Sequence, residues 1–246
     1  MELETIWKWF CRLCLIVFVV IVLNSVFGDI LFRISYSFPK VSEITAEKIN
    51  PLQDPIQINV NFQKYIKVNG EKNKYLILPQ AEYSLSGLVV AKNTNFWFRD
   101  IMRSDFDDVF LIDLGIAWGE LATDKKELYK HWKFKSYKSL GQSRQLEWRS
   151  KPPYNDTHWS LGYVSSHVSH THIIPANANV MGGLLKIKKN DIVKINGYLV
   201  DIYTEKGEVL GKSSLSRTDT DATSRGYGAC EEMYVKQVQI ADKVYK

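Results

Sequence analysis

The chain has 246 residues, 45% hydrophobic and 24% charged, a make-up that excludes a disordered polymer and fits one generous domain or two small ones. Its 32 Lys+Arg against 27 Asp+Glu leave a formal charge of +5, mild enough that a nucleic-acid surface would have to show as clustered cations. Lys125-Lys126, Lys133-Lys135 and Lys186-Lys188-Lys189 are short and interrupted, so they read as solvated faces and no nucleic-acid partner is expected.

Leu13 to Leu23 (LCLIVFVVIVL) is unbroken apolar sequence. Alone it has the length of a signal-peptide core; adding Val26, Phe27, Ile30, Leu31 and Phe32 brings it to the roughly 20 residues that cross a bilayer. A leading segment with Glu2 and Glu4, and a poor small-residue cleavage site at Val26-Phe27-Gly28, favour an uncleaved anchor over a cleaved signal. Trp7 and Trp9 suit an interface, and Lys8 and Arg12 favour an inside N-terminus, weakened by Arg33 and Lys40 on the far side. The expected organisation is a cytoplasmic segment 1–12, a transmembrane anchor 13–32, a stalk or lead-in 33–55 and an exported domain 56–246. Cys11 and Cys14 fall in the anchor with no lipobox before them, which leaves Cys230 without a disulfide partner in the domain.

Ser35 to Pro55 is polar and holds Pro39, Pro51 and Pro55, as an irregular lead-in would. Ile56, Ile58, Val60 and Phe62 then alternate with polar residues, the pattern of a strand with one buried face. Asn69-Gly70 between two apolar runs predicts a hairpin, and AEYSLSGLVV (81–90) a further strand in which Gly87 marks a bulge or a close backbone approach. FLIDLGIAWGEL (110–121) fits neither period and reads as an irregular buried segment. Asp124 with Glu127 caps a short helix to about His131, followed by the lysine-interleaved strand around Trp132, Phe134 and Tyr137. VMGGLLKI, capped by Asn179, reads as a short helix, NDIVKINGYLVDIY (190–203) as a central strand closed by a turn at Lys206-Gly207, and MYVKQVQI (233–240) as a last strand. Many strands and few helices predict a mostly antiparallel β domain, or an α+β one, of barrel or sandwich type.

SSHVSHTHIIPAN (165–177) holds His167, His170 and His172. On a strand His170 and His172 share a face while His167 points away, which leaves a pair about 7 Å apart and in need of a third ligand from elsewhere. His158, Asp219, Cys230 and Glu231 qualify by type, and spacing selects none of them; without that partner the bland reading is hydrogen-bonded histidines and no metal. The connection SSLSRTDTDATSRGYGACEEMYV (213–235) gathers Ser213, Arg217, Asp219, Arg225, Cys230 and Glu231. Such a loop either cradles an anion on an arginine fork or satisfies its own backbone. Cys230 as a nucleophile would need a base, for which His172 is the nominee, with Asp219 or Glu231 as orienter.

AEYSLSGLVV, the run from Asp113-Leu114 to Trp118-Gly119, QSRQLEW (142–148), HIIPAN (172–177), KNDIVKINGYLVDI (189–202), SSLSRTDT (213–220) and GACEEMYV (228–235) together resemble a family of uncharacterised bacterial envelope proteins with one N-terminal membrane helix. These pieces cover most of the exported chain in order. The resemblance implies a single-pass inner-membrane protein with its N-terminus inside and its domain in the periplasm, and it brings no activity or cofactor. In that pattern the position of His172 is the histidine, that of His170 is usually asparagine and that of His167 is not distinctive. The present chain departs from it by an insertion between Asp219 and Gly228, which alters the stretch 220–227.

The function expected is therefore ligand or envelope-partner binding around His172, Arg217, Asp219 and Glu231, with Arg144 of QSRQLEW added to that set. The alternative is a thiol or metal-dependent hydrolase using Cys230 and His172.

Overall fold

The computed structural model describes residues 3–36, 38–70, 72–94, 105–138, 144–152, 159–217, 219–220 and 230–246. Apart from a long first helix, α1 (Leu3–Ser35), the chain is mostly β, built on one large mixed sheet with a few short helices. Five strands carry the architecture: β4 (Lys74–Thr94), β5 (Ile112–Ala117), β8 (Val168–Pro175), β9 (Ile192–Thr204) and β11 (Cys230–Ile240). β4 pairs with β5, β5 with β8, β8 with β11, β11 with β9 and β9 again with β4, so the pairings close on themselves. Four of these are antiparallel, in line with the mostly antiparallel sheet expected, and β8–β11 is parallel, which makes the sheet mixed.

Alternate positions of all five strands, among them Leu85, Ile116, Ile173, Ile195 and Met233, form one buried cluster, and a cluster drawn from every member of a closed ring is its interior. β4 reaches around the ring because it shifts register between Pro79 and Ala81 and again between Val89 and Ala91. The first shift is also how a proline is tolerated inside a strand. Gly87 marks a close approach: a Cβ there would lie 2.3 Å from the carbonyl oxygen of Ala117.

The remaining strands extend the sheet. β2 (Ile56–Asn59) and β3 (Ile66–Asn69) lie on β4, and β3 meets it through the expected Asn69-Gly70 hairpin. β10 (Val209–Lys212) follows β9 after the turn at Gly207, whose φ is +84°. β1 (Glu43–Ile44) pairs with β12 (Lys243–Tyr245) beside β11. β6 (Trp132–Lys138) and β7 (Arg144–Ser150) form a separate two-stranded sheet. α3 (Lys125–His131) begins as expected, the Asp124 carboxylate accepting from the Glu127 N–H at 2.9 Å.

Three expectations need correction. The segment FLIDLGIAWGEL is not irregular: it contains β5, whose six residues are all buried, and a strand covered on both faces loses the alternation by which strands are recognised. β2 is a strand as its alternation predicts, yet Ile56 and Ile58 are 45% and 56% exposed, because β2 is an edge strand and they face an open cleft beside Tyr198 and Lys236. α5 (Ala178–Lys186) is capped by Asn177, whose side chain accepts from the Val180 N–H, not by Asn179. The Asn179 side chain instead bonds Lys40 N, Lys40 O, Ser42 Oγ and Lys246 O. The lead-in is thus docked onto the ring, and Gly119 N–H reaches the Pro51 carbonyl as well.

Among the described residues no helix is long and apolar enough to cross a membrane. Within α1 the continuous run of described side chains, 7–23, spans about 25 Å at 1.5 Å per residue.

Gly197 tests the closure of the ring, since a Cβ there would sit 1.9 Å from the Tyr234 carbonyl oxygen across the β9–β11 pair. Gly197→Ala is expected to lower stability by about 3 kcal/mol, the upper range for overpacking, read as a shifted denaturation midpoint.

Candidate functional site

The registers of β5, β8 and β11 assemble the histidines with their neighbours. Parallel pairing sets Cys230 beside His170 and Glu232 beside His172, and antiparallel pairing sets Asp113 opposite His172. Residues paired this way project from the same side of a sheet. Ile173 and Met233, the next pair along, belong to the interior, so Asp113, His170, His172, Cys230 and Glu232 lie on the outer side. There they meet α2 (Asp105–Val109) and the residue after it: Phe106 stands edge-on to the His172 ring at 4.9 Å and Phe110 is tilted against it at 5.4 Å.

The contacts converge on sulfur. Cys230 Sγ is 3.4 Å from His170 Nδ1 and 3.4 Å from His172 Nε2. The Asp113 carboxylate accepts from His172 Nδ1 at 2.9 Å, which places the ring proton there and turns the Nε2 lone pair toward the sulfur. Its other oxygen is 3.9 Å from His170 Nε2. The two imidazoles are 4.3 Å apart between centroids and both are buried. Cys230 is exposed as a residue at the mouth of β11, although its sulfur is turned in between the rings. Burial of that sulfur pushes the thiol up to about 12, and the charges of Asp113, Glu231 and Glu232 add to the effect. Glu232 is 9% exposed, its Oε2 has no hydrogen-bond partner among the described residues, and burial followed by the charge of Asp201 pushes its carboxyl up to about 7.

Nδ1 of His170, Nε2 of His172 and Sγ of Cys230 all lie within 4.8 Å of one another. Donors held 2.0–2.3 Å from one tetrahedral ion stand roughly 3.3–3.7 Å apart, the spacing each nitrogen keeps from the sulfur. With three protein donors, a tetrahedral ion would keep one open position.

The other expected residues form a different cluster. Thr171 and Glu231 alternate with the outer set and point inward, where the Glu231 carboxylate accepts from Ser213 Oγ at 2.7 Å. Asp219, fully buried, accepts from Tyr83 Oη at 2.9 Å and from Arg217 Nε at 2.9 Å, and Arg217 Nη2 also donates to the Pro55 carbonyl. The arginine fork is thereby occupied within the chain. Burial pushes Glu231 up to about 8, Asp219 and Glu232 adding to that rise while Ser213 and Arg217 oppose it.

The expected set is therefore divided: His172 and Cys230 meet, and Arg217, Asp219 and Glu231 lie on the opposite face. The orienting carboxylate on His172 is Asp113, not Asp219 or Glu231, because the strand alternation turns Glu231 away. Asp113 was recoverable from sequence as a lone carboxylate inside an apolar run. His167 lies before the strand and stacks on Tyr163 at 3.9 Å, outside the cluster. Arg144 opens β7 opposite Lys138 in the two-stranded sheet, its side chain outside the described residues, as are His158, Arg225 and the stretch 221–229. No family model, curated protein or solved structure matches the chain.

Glu231 and Glu232 bind protons more tightly in the folded chain than at their ordinary value of 4.5. Between about 4.5 and 8 the metal-free folded protein holds protons that the unfolded chain has released, so stability is greatest at the acid end and falls as pH rises through 7 and 8. Urea midpoints at three pH values across this window are expected to fall, and Glu231→Gln with Glu232→Gln to flatten the fall.

Proposed function

We propose that the chain is an envelope protein, held in the bacterial inner membrane by α1, whose exported domain binds a transition metal through His170, His172 and Cys230. The convergence of two imidazole nitrogens and one sulfur within 4.8 Å carries this reading. The surroundings support it: Asp113 behind His172 is the carboxylate that metal-bound histidines commonly use, and the buried Glu232 gives the site a deficit of positive charge that a cation would fill. Bound metal would also hold the thiolate that Cys230 does not form by itself.

Topology supports it too. In chain order the ring runs first, second, third, fifth, fourth, the connectivity of an OB barrel, and such barrels take their ligands on the second and third strands. Those strands are β5 and β8, which carry Asp113, His170 and His172. The anchor is supported by the consecutive exposed positions Leu15, Ile16, Val17 and Phe18, which cover every side of α1 with apolar surface that only lipid or a partner would bury. Lys8 and Arg12 favour an inside N-terminus, against Arg33 and Lys40 beyond the apolar run, with the domain then in the periplasm.

A second reading rests on the line Asp113–His172–Cys230, the arrangement of a thiol hydrolase with His172 as base and Asp113 as orienter. It requires an activated sulfur, whereas burial and then three carboxylates raise this thiol, and it leaves His170 without a role.

Metal analysis of protein purified from membranes is expected to give one equivalent of zinc or a similar ion, absent from Cys230→Ser and His172→Ala. Zinc added to the stripped protein at a hundredfold excess over its Kd should add about 2.7 kcal/mol of stability, and Asp113→Asn should weaken binding by about 10–100-fold. Absence of both metal and melting shift would sink the reading, and labelling of the native metal-free thiol by an acylating probe would favour the hydrolase. Carbonate extraction that releases the full chain from membranes would remove the anchor.

A further inference from the structure

We propose that α2 is a clamped wall of the metal centre and that Asp108 is the positioning residue that holds it there. This rests on the metal reading above and extends it to a part of the chain that contributes no ligand.

α2 has five residues, too short to keep helical form or place by itself. Its place is set by Asp108, which is 2% exposed and accepts three hydrogen bonds from the β3–β4 hairpin: Lys72 N–H at 2.8 Å, Asn73 N–H at 2.9 Å and Tyr75 Oη at 2.9 Å. Tyr75 Oη also reaches the Asp105 carbonyl oxygen at 3.2 Å. The hairpin is shaped to receive this carboxylate, since a Cβ on Gly70 would lie 2.5 Å from Asp108 Oδ2. The glycine of the Asn69-Gly70 turn thus serves the clamp as well as the bend.

The clamp fixes what α2 presents to the site. Phe106, on α2, and Phe110, directly after it, press on the His172 ring from two directions. Asp113 fixes one atom of that ring, Nδ1, while the tilt of the ring plane is set by what packs against it. His170 stands on one side at 4.3 Å, and the two phenyl rings close the others and so aim Nε2 at the position shared with Cys230 Sγ. Released from α2, Nε2 would swing, and a displacement of about 1 Å is enough to spoil a metal bond.

Cobalt(II) provides the test, because its thiolate and ligand-field absorption bands report coordination directly. The full chain in detergent takes cobalt as wild type, Asp108→Asn and Phe106→Ala, with folding checked by circular dichroism. Asp108→Asn is expected to bind cobalt more weakly than wild type, by no more than the roughly 10-fold lower bound seen for groups bonded directly to a metal ligand, with shifted bands. Phe106→Ala, which leaves every bond of Asp108 in place, should shift the bands in the same direction. Folded Asp108→Asn with wild-type affinity and bands overturns the proposal. If Asp108→Asn does not fold, Phe106→Ala decides: unchanged bands there overturn the clamp. A wild-type chain that takes no cobalt overturns the metal reading itself, a result distinct from either variant's.

Discussion

The parallel pairing of β8 with β11 is the constraint on which the rest of this molecule depends. Parallel neighbours need a long connection, and here everything from α5 through β10 and the polar loop lies between them. The same pairing closes the ring and decides which residues meet. With Cys230 opposite His170, a sulfur faces two imidazoles; slipped by one residue, the sulfur would point into the apolar interior and Glu231 would face the histidines. Hydrophobic packing of Ile173 and Met233 inside the ring therefore fixes the chemistry outside it.

Adjacent residues with opposite fates follow from that register. Cys230 and Glu231 are neighbours in sequence, yet one belongs to the outer cluster with His170, His172 and Asp113 and the other to an inner network with Ser213, Asp219, Arg217 and Tyr83. A buried polar network whose members are all bonded contributes rigidity and a single arrangement. Arg217 looks like an anion receptor in the sequence and behaves as a brace between the loop and Pro55.

Much of the fold was legible because local rules acted locally. The Asn69-Gly70 hairpin, the Asp124 cap and the turn before Gly207 each depend on a few consecutive residues. β5 was missed because burial on both faces erases the period that marks a strand, and β1 and β12 because two or three residues carry no pattern at all. For the site, His167 does stand apart from His170 and His172, though because it precedes β8 and not because of alternation along it. The choice of Cys230 over Glu231, and of Asp113 over Asp219, is a matter of register between strands distant in sequence, which no local pattern records. Asn179 shows the converse error: a good capping residue two positions inside a helix, already committed elsewhere.

That commitment has a mechanical side. The Asn179 amide grips the carbonyls of Lys40 and Lys246 together, so the segments that flank the ring leave it at one point, next to the short β1–β12 pair. Tension arriving along α1 would be spent first on this small, easily reformed fastening, peeling it bond by bond, while the closed hoop and the cluster on its outer wall stay unloaded. The fastening would act as a mechanical fuse between α1 and the ring.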